Sequence, residues 1–312
     1  MNTLRDNSCF ALLETALAEA DSKKRFTLLN MAANAFAASS SDVQKSFAAV
    51  CYTINGEPVA GENIPGACGN IPETEENCFA ASCIAMLKGN YPSAKMLLQK
   101  AADGLVAEKN FTELGILLKL HKHLAELKSA PIREYPDDIT LPPIVVFKVY
   151  TPDIVCDLPT GLEEACIAWA EAENSAQPAA VVCSCSNIIE CKMLEIFAAG
   201  GAKILHAPLA PAVKLAAAYP PEISTVITAA AEKYSGLPAI TDDLATAFPG
   251  ENLWRLLSEY SAKSLLGIAA LYAEDTQLPV KYIYAAAPGT AADDTSINLC
   301  KLNGFRVKEI GE

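Results

Sequence analysis

The feature that most constrains the fold is the alternation of short apolar runs with helical patterns in the second half of the chain. The apolar run Ile144–Tyr150 is followed by a helical pattern at 161–173, and a second apolar run covers 179–185. Apolar strands that alternate with helices are typical of a parallel sheet whose two faces are both covered by helices. The alternation therefore predicts a Rossmann-like α/β domain over residues 144–312.

The same pattern predicts the other elements of this domain. The chain closes with a strand, a turn, a helix and a strand, and the turn contains Pro288-Gly289-Thr290. A strand that leads through such a turn into a helix is how many α/β proteins offer free backbone N–H groups to an anion. The predicted helices cover 187–199, 220–234, 251–274 and a last segment ending near Leu302, and the predicted strands cover 202–206, 280–284 and 305–310.

The first 130 residues show one helical pattern after another, with apolar side chains at spacings of three and four. Glycine and proline interrupt the pattern at 48–72, which is predicted as a long loop or a distorted helix. A proline-rich segment at 131–143 is predicted to link this helical region to the α/β domain. The domains are therefore expected to be 1–130, all helical, and 144–312.

One local signature suggests how the helices pair. A helix is expected to end at Gly89 in a left-handed cap, and the next helix to begin with Pro92 in its first turn. The large residue Tyr91 and the small residues Ala94 and Ala101 then lie at the spacing of a tight helix pair. The segment resembles one tetratricopeptide repeat. Residues 1–130 are therefore predicted to be a tetratricopeptide-like domain that binds a protein partner.

The net charge limits which classes of partner the chain can bind, and the cysteine content indicates the cellular compartment. The 312 residues include 24 Lys and Arg against 37 Asp and Glu, for a net charge of −13. Such an acidic chain is a poor ligand for nucleic acids and anionic membrane surfaces, and no apolar run is long enough to span a bilayer. Eleven cysteines without an apolar secretory segment indicate free, buried thiols in the reducing cytoplasm.

Three polar turns follow predicted strands and form the candidate ligand site. In a parallel sheet, ligands bind beyond the carboxyl ends of the strands, where such turns converge. The alternative is that these residues only form turns and helix caps, since Ser186 or Asn187, and Thr290, could each be an N-cap. The candidate ligand-binding residues are Asp153 after the first strand, Ser186 and Asn187 after the second, and Gly289 and Thr290 near the end.

The order of these motifs resembles the SLOG superfamily, which includes the Lonely-guy phosphoribohydrolases and bacterial nucleotide-sensor domains. The resemblance rests on the first-strand turn at 150–153, the segment 183–190 with its following helix, the strand at 201–209, and Gly289 to Val307. It implies a nucleotide-derived ligand, and it makes Glu190 the counterpart of a catalytic carboxylate. The chain departs from the family where Ser184-Cys185-Ser186-Asn187 replaces a glycine-rich segment, because glycine permits close approach to phosphate.

Other possible reaction centres are less well supported. His206, at a predicted strand end, is the best imidazole candidate for acid–base chemistry. His121 and His123 lie two apart on one predicted helix and face different directions. Cys183, Cys185 and Cys191 lie close together in the sequence but lack the Cys-x-x-Cys spacing of metal sites. The sequence also contains neither a phosphate-binding P-loop nor the Gly-x-Ser-x-Gly motif of a nucleophile elbow. No metal site or cofactor is predicted.

These observations favour a non-catalytic regulatory or assembly protein. Its Rossmann-like domain would bind a nucleotide-derived ligand or mediate oligomerisation, and its helical domain would bind a protein partner. The alternative is a nucleoside-monophosphate N-glycosidase in which Glu190 acts at the ribosyl centre and His206 assists. A third interpretation is a tightly packed subunit of a homo-oligomer or larger assembly. The sequence leaves all three open.

Overall fold

The computed structural model describes residues 8–39, 42–56, 78–127, 140–152, 160–234, 236–242 and 253–310. These residues belong to two compact units. The first unit spans residues up to Leu141 together with Asp275–Gln277, and the second spans the rest from Pro142 onwards. None of the helices among the described residues is long and apolar enough to cross a membrane.

The first unit consists of helices that pack against their neighbours in the chain. Its core contains a row of aromatic rings, in which Phe36 and Phe47 lie 5.7 Å apart and Phe10 contacts both edge-on. Such edge-on ring pairs add to the stability gained from burial. The helices are α1 (Ser8–Ala18), α2 (Ser22–Ala37), α3 (Asp42–Ile54), α4 (Cys78–Leu87), α5 (Tyr91–Ala107) and α6 (Phe111–Leu127).

The turn between α4 and α5 has the predicted conformation. Gly89 has a φ of +76°, which glycine adopts without strain, and Pro92 lies in the first turn of α5. Asn90 caps α5 by accepting a hydrogen bond from the Ser93 N–H. The left-handed cap at Gly89 and the start of α5 are therefore confirmed, whereas the tetratricopeptide-like character of the unit stays a prediction.

The structure describes only parts of the predicted loop at 48–72 and of the predicted linker at 131–143. Residues 48–54 belong to the regular helix α3, because the glycines and prolines that suggested a loop come later in the chain. The rest of the predicted loop, 57–72, lies outside the described residues. Most of the predicted linker also lies outside them, and Thr140 at its end pairs through its N–H with Gln99 of α5 at 2.9 Å.

The second unit contains one five-stranded sheet flanked by helices. All its strands run parallel, in the order β3-β2-β1-β4-β5. This confirms an α/β fold with a Rossmann-like parallel sheet. The elements are β1 (Ile144–Tyr150), α7 (Thr160–Ser175), β2 (Ala180–Cys183), α8 (Ile188–Ala199), β3 (Lys203–His206), α9 (Ala212–Ala218), α10 (Pro221–Lys233), α11 (Leu253–Thr276), β4 (Val280–Ala286), α12 (Asp294–Leu302) and β5 (Arg306–Glu309). The last two residues of α11 belong to the first unit.

The strand order fixes where a ligand would bind. The chain builds β2 and β3 on one side of β1, then returns and builds β4 and β5 on the other side. The order therefore reverses between β1 and β4, and α/β proteins bind ligands in the crevice beyond the carboxyl ends of such strands. All seven residues of β1 are buried, since the strand lies at the centre of the sheet.

Candidate functional site at the carboxyl end of the sheet

A buried ion pair lies between the central strand and helix α8. The Nζ atom of Lys148, on β1, is 3.2 Å from Oε1 of Glu190, and both side chains are 0% exposed. Burying two charges is costly unless they pair closely and their remaining hydrogen-bonding groups also find partners. The surroundings of Glu190 meet that requirement.

Hydrogen bonds engage both oxygens of the Glu190 carboxylate. The Val149 N–H donates to Oε1 at 2.9 Å, and the Ser186 N–H donates to Oε2 at 2.7 Å. The Ser186 hydroxyl donates to Oε2 at 2.9 Å, and the Ser184 hydroxyl lies 3.4 Å from the same oxygen. Together with Lys148, these groups surround the carboxylate with donors.

The local sequence positions this carboxylate at the start of α8. Asn187 is the N-cap, and its Oδ1 accepts a hydrogen bond from the Glu190 N–H at 2.9 Å. Glu190 lies at the third helical position and bonds back to the Ser186 N–H, an arrangement close to a capping box. The Asn187 amide also donates to the Val149 carbonyl at 3.1 Å, which ties the helix start to β1. Asn187, rather than Ser186, is therefore the cap.

Ser186 is the one member of this network that is only half-buried. Its hydroxyl accepts a hydrogen bond from Lys148 Nζ at 2.5 Å while donating to Glu190. Its carbonyl accepts a hydrogen bond from the Tyr219 hydroxyl at 3.0 Å. A ligand at this edge of the sheet would reach the charge network through Ser186.

His206 lies at the end of β3, beside Ser184. Its Nε2 is 3.2 Å from the Ser184 carbonyl, so this nitrogen is the donor, and Nδ1 is buried without a hydrogen-bond partner. Burial lowers the pKa of His206, against the opposing effects of Ser184 and Glu190. The imidazole is fully buried and is held neutral near pH 7.

The turn after β4 supplies the second part of the predicted site. Gly289 has a φ of +81° and lies exposed, and no described atom lies within 4 Å of where a Cβ would be. The left-handed backbone conformation of the turn therefore explains why residue 289 is glycine, and close packing against other described atoms does not. The Thr290 hydroxyl donates to the Ala287 carbonyl, and it lies 3.4 Å from the Tyr150 carbonyl at the end of β1.

Helix α12 begins later than the turn suggested, and its N-cap is Asp293 instead of Thr290. The Asp293 carboxylate accepts hydrogen bonds from the N–H groups of Thr295 and Ser296 at 3.0 and 3.2 Å and from the Ser296 hydroxyl at 2.9 Å. Partial burial opposes ionisation, but these bonds and Lys263 Nζ at 3.5 Å lower the pKa of Asp293. The N–H groups expected to receive an external anion already bind this carboxylate.

The remaining predicted residues have separate outcomes. Asp153 lies outside the described residues. Cys183, Cys185 and Cys191 are buried and form no disulfide, and burial together with the contact with Cys183 raises the pKa of Cys185 well above its usual value. Across the described ranges, no group of three or more His, Cys, Asp or Glu side chains is placed to hold a metal ion.

Two residues at this sheet end were not identified from the sequence as functional. Lys148 is a charged residue within an otherwise apolar strand. Because a charge in a strand that is buried on both faces must be paired, Lys148 itself indicated a buried ion pair. Asp293 precedes Asp294-Thr295-Ser296, and Asp is a strongly preferred N-cap. In addition, Cys185 has a left-handed φ of +51°, which is the conformation that glycine would adopt most easily.

The chemistry of this sheet end consists of an enclosed carboxylate, a half-buried hydroxyl at Ser186 and an exposed turn at Gly289. Searches with protein-family models, curated proteins and solved structures found no match to this chain.

Proposed function

We propose that the protein is a non-catalytic regulatory or assembly protein. Its Rossmann-like domain binds a nucleotide-derived ligand or mediates oligomerisation, and its tetratricopeptide-like domain binds a protein partner. The observation that carries this proposal is the enclosure of Glu190, whose carboxylate is fully buried and paired with Lys148.

The hydrolase alternative requires a carboxylate that can reach a substrate. A general acid or base must come within hydrogen-bonding distance of the reacting atom. Glu190 would have to leave Lys148, two backbone N–H groups and the Ser186 hydroxyl before it could do so. Leaving those buried partners unsatisfied costs several kcal/mol, so about 3–5 kcal/mol would be added to any barrier. This cost favours a structural role for Glu190.

The helix starts around the sheet end bear on the type of ligand. The first turns of α8 and α12 each place a carboxylate of the chain itself, Glu190 or Asp293, where a phosphate would otherwise be expected. Ser186 and Thr290 remain as half-buried hydroxyls at this edge. The resemblance to SLOG domains supports a nucleotide-derived ligand. Because Glu190 and Asp293 occupy the helix starts where a phosphate would bind, the nucleoside part of that ligand is expected to contact the protein instead of its phosphate.

The helical unit supports the partner-binding part of the proposal. Gly89 and Pro92 give α4 and α5 a tight connection, and the buried Ser82 hydroxyl donates to the Ala94 carbonyl at 2.8 Å. Close pairs of this kind are the building unit of tetratricopeptide arrays, whose grooves bind protein segments.

A thermal-shift screen with nucleosides and nucleoside monophosphates tests the ligand-binding role. Binding is expected to raise the unfolding temperature progressively, with about 2.7 kcal/mol of stabilisation at one hundred times the dissociation constant. Ser186→Ala should weaken the shift, whereas Ser175→Ala, at the exposed end of α7, should leave it unchanged. The same mixtures are then assayed for free nucleobase. Base release that disappears in Glu190→Gln would contradict the non-catalytic proposal.

A further inference from the structure

A cavity of about 170 Å³ lies within the helical unit, between helices α1 and α6. Its lining includes Phe10 and Glu14 of α1, Ile116 and Lys119 of α6, and Asp275, which belongs to the same unit. Engineered cavities of about 150 Å³ bind benzene, so this cavity suits a ligand of roughly six to nine non-hydrogen atoms. A nucleotide is too large for it, and the cavity is therefore a site separate from the carboxyl end of the sheet.

The inner wall of the cavity is apolar and is held in place by the core. The Phe10 side chain is 3% exposed, and its ring packs edge-on against Phe36 and Phe47 with centroids 4.9 and 4.8 Å apart. Ile116 is half-buried and adds an aliphatic surface. A preformed apolar wall binds an apolar group without the entropic cost of ordering its own side chains.

The outer part of the cavity carries charges of both signs. Glu14 and Asp275 are exposed carboxylates, and Lys119 is half-buried. Among the described residues, no hydrogen bond or ion pair engages any of these three side chains. Their charges are therefore available to a ligand.

Gly115 brings one of these carboxylates to the cavity. A Cβ at this position of α6 would lie 2.0 Å from the Asp275 carbonyl oxygen and 2.6 Å from the Thr276 Cα atom. Only glycine allows the backbone at 275 and 276 to approach α6 so closely. Asp275 thus lies beside Gly115, and Lys119 follows on the same face of α6, one turn or about 6 Å further along.

We propose that this cavity binds a free α-amino acid with an apolar side chain, of the size of valine or leucine. The ligand carboxylate pairs with Lys119, its ammonium group pairs with Asp275 or Glu14, and its side chain contacts Phe10 and Ile116. An α-amino acid carries both charges on groups attached to one carbon atom, so it fits between opposite charges that lie one helical turn apart.

Other small ligands match fewer of these groups. A simple amine would leave Lys119 beside a second positive charge, and a simple carboxylic acid would add a third negative charge beside Glu14 and Asp275. Calcium needs six or more oxygen ligands. The described ranges hold no group of three or more His, Cys, Asp or Glu side chains that could bind a metal ion.

The test is isothermal titration calorimetry of the full chain with L-leucine and L-valine. Saturable binding to one site is expected, with a dissociation constant of about 1 mM or lower. The compounds 3-methylbutylamine and 4-methylpentanoate each lack one of the two charges of leucine, and both should bind at least about tenfold more weakly. Nucleotide binding at the sheet end and oligomerisation do not depend on either result.

Lys119→Met should weaken leucine binding by at least about tenfold, because it removes the partner of the ligand carboxylate. Lys122→Met is the matched control, since Lys122 is exposed on the same helix and does not line the cavity. Circular dichroism of both variants should match that of the natural chain. The proposal would be overturned by the absence of saturable binding up to about 10 mM of either amino acid, by unchanged binding in Lys119→Met, or by an amine that binds as tightly as leucine.

Discussion

Replacing Lys148 with methionine is expected to lower the free energy of unfolding of the α/β unit by about 3–5 kcal/mol. The substitution leaves the Glu190 carboxylate buried without its counter-charge and removes a donor from Ser186. Both tryptophans of the chain, Trp169 and Trp254, belong to this unit, so the fluorescence change in a urea titration reports its unfolding.

The surface ion pair between Lys192 and Glu163 provides the matched control. Lys192→Met removes the same charge from the same unit and should cost less than about 1 kcal/mol, because exposed pairs contribute little. The double variant Lys148→Met/Glu190→Leu should lose less stability than the sum of the two single changes, since no unpaired charge remains. Equal losses for Lys148→Met and Lys192→Met would show that the buried pair is not essential to the fold.

Lowering the pH from 7 to 4 is expected to destabilise the helical unit by about 3 kcal/mol through His121 alone. Burial lowers the pKa of His121 from 6.5 to about 4, and its Nε2 is 2.9 Å from the Ser82 hydroxyl. The unfolded chain therefore binds the proton more readily than the folded one between these values. Stability is full above pH 6.5 and is lost as the pH falls towards 4.

The measurement is urea unfolding followed by circular dichroism at several pH values. His121→Gln should flatten the dependence of stability on pH, and the difference between this variant and the natural chain isolates the contribution of His121. His123→Gln is the control, because His123 lies two residues away on α6 with an exposed side chain. An unchanged pH dependence in His121→Gln would contradict burial of the neutral imidazole.

The fold could be predicted wherever the local pattern was continuous. The strand at Ile144–Tyr150 has the predicted ends, because seven successive buried positions leave a run with little ambiguity. The second strand ends at Cys183, two residues early, because the left-handed conformation of Cys185 turns the chain out of the sheet. Helix α9, at Ala212–Ala218, was not predicted, since seven residues are too few to establish a helical period.

The candidate site was less predictable, because its key contacts join residues distant in the sequence. The turns at Ser186 and Thr290 were expected near the end of the first strand, and both bond to atoms of the β1 region. The sequence could not show that Glu190 pairs with Lys148, because that pairing depends on how α8 packs against β1. Asp293 could be predicted as an N-cap because Asp is strongly preferred there, whereas the Pro-Gly-Thr pattern favours Thr290.

The free energy of unfolding of Glu190→Gln tests most directly whether Glu190 supports the fold or acts on a substrate. Glutamine keeps the shape of the side chain but removes the negative charge that pairs with Lys148. Its amide NH₂ group would also point at a backbone N–H that is itself a hydrogen-bond donor. The measurement is a urea titration followed by tryptophan fluorescence. A structural role predicts a loss of about 3–5 kcal/mol. Removing a strained catalytic group commonly leaves stability unchanged or raises it, and that result would contradict the proposal.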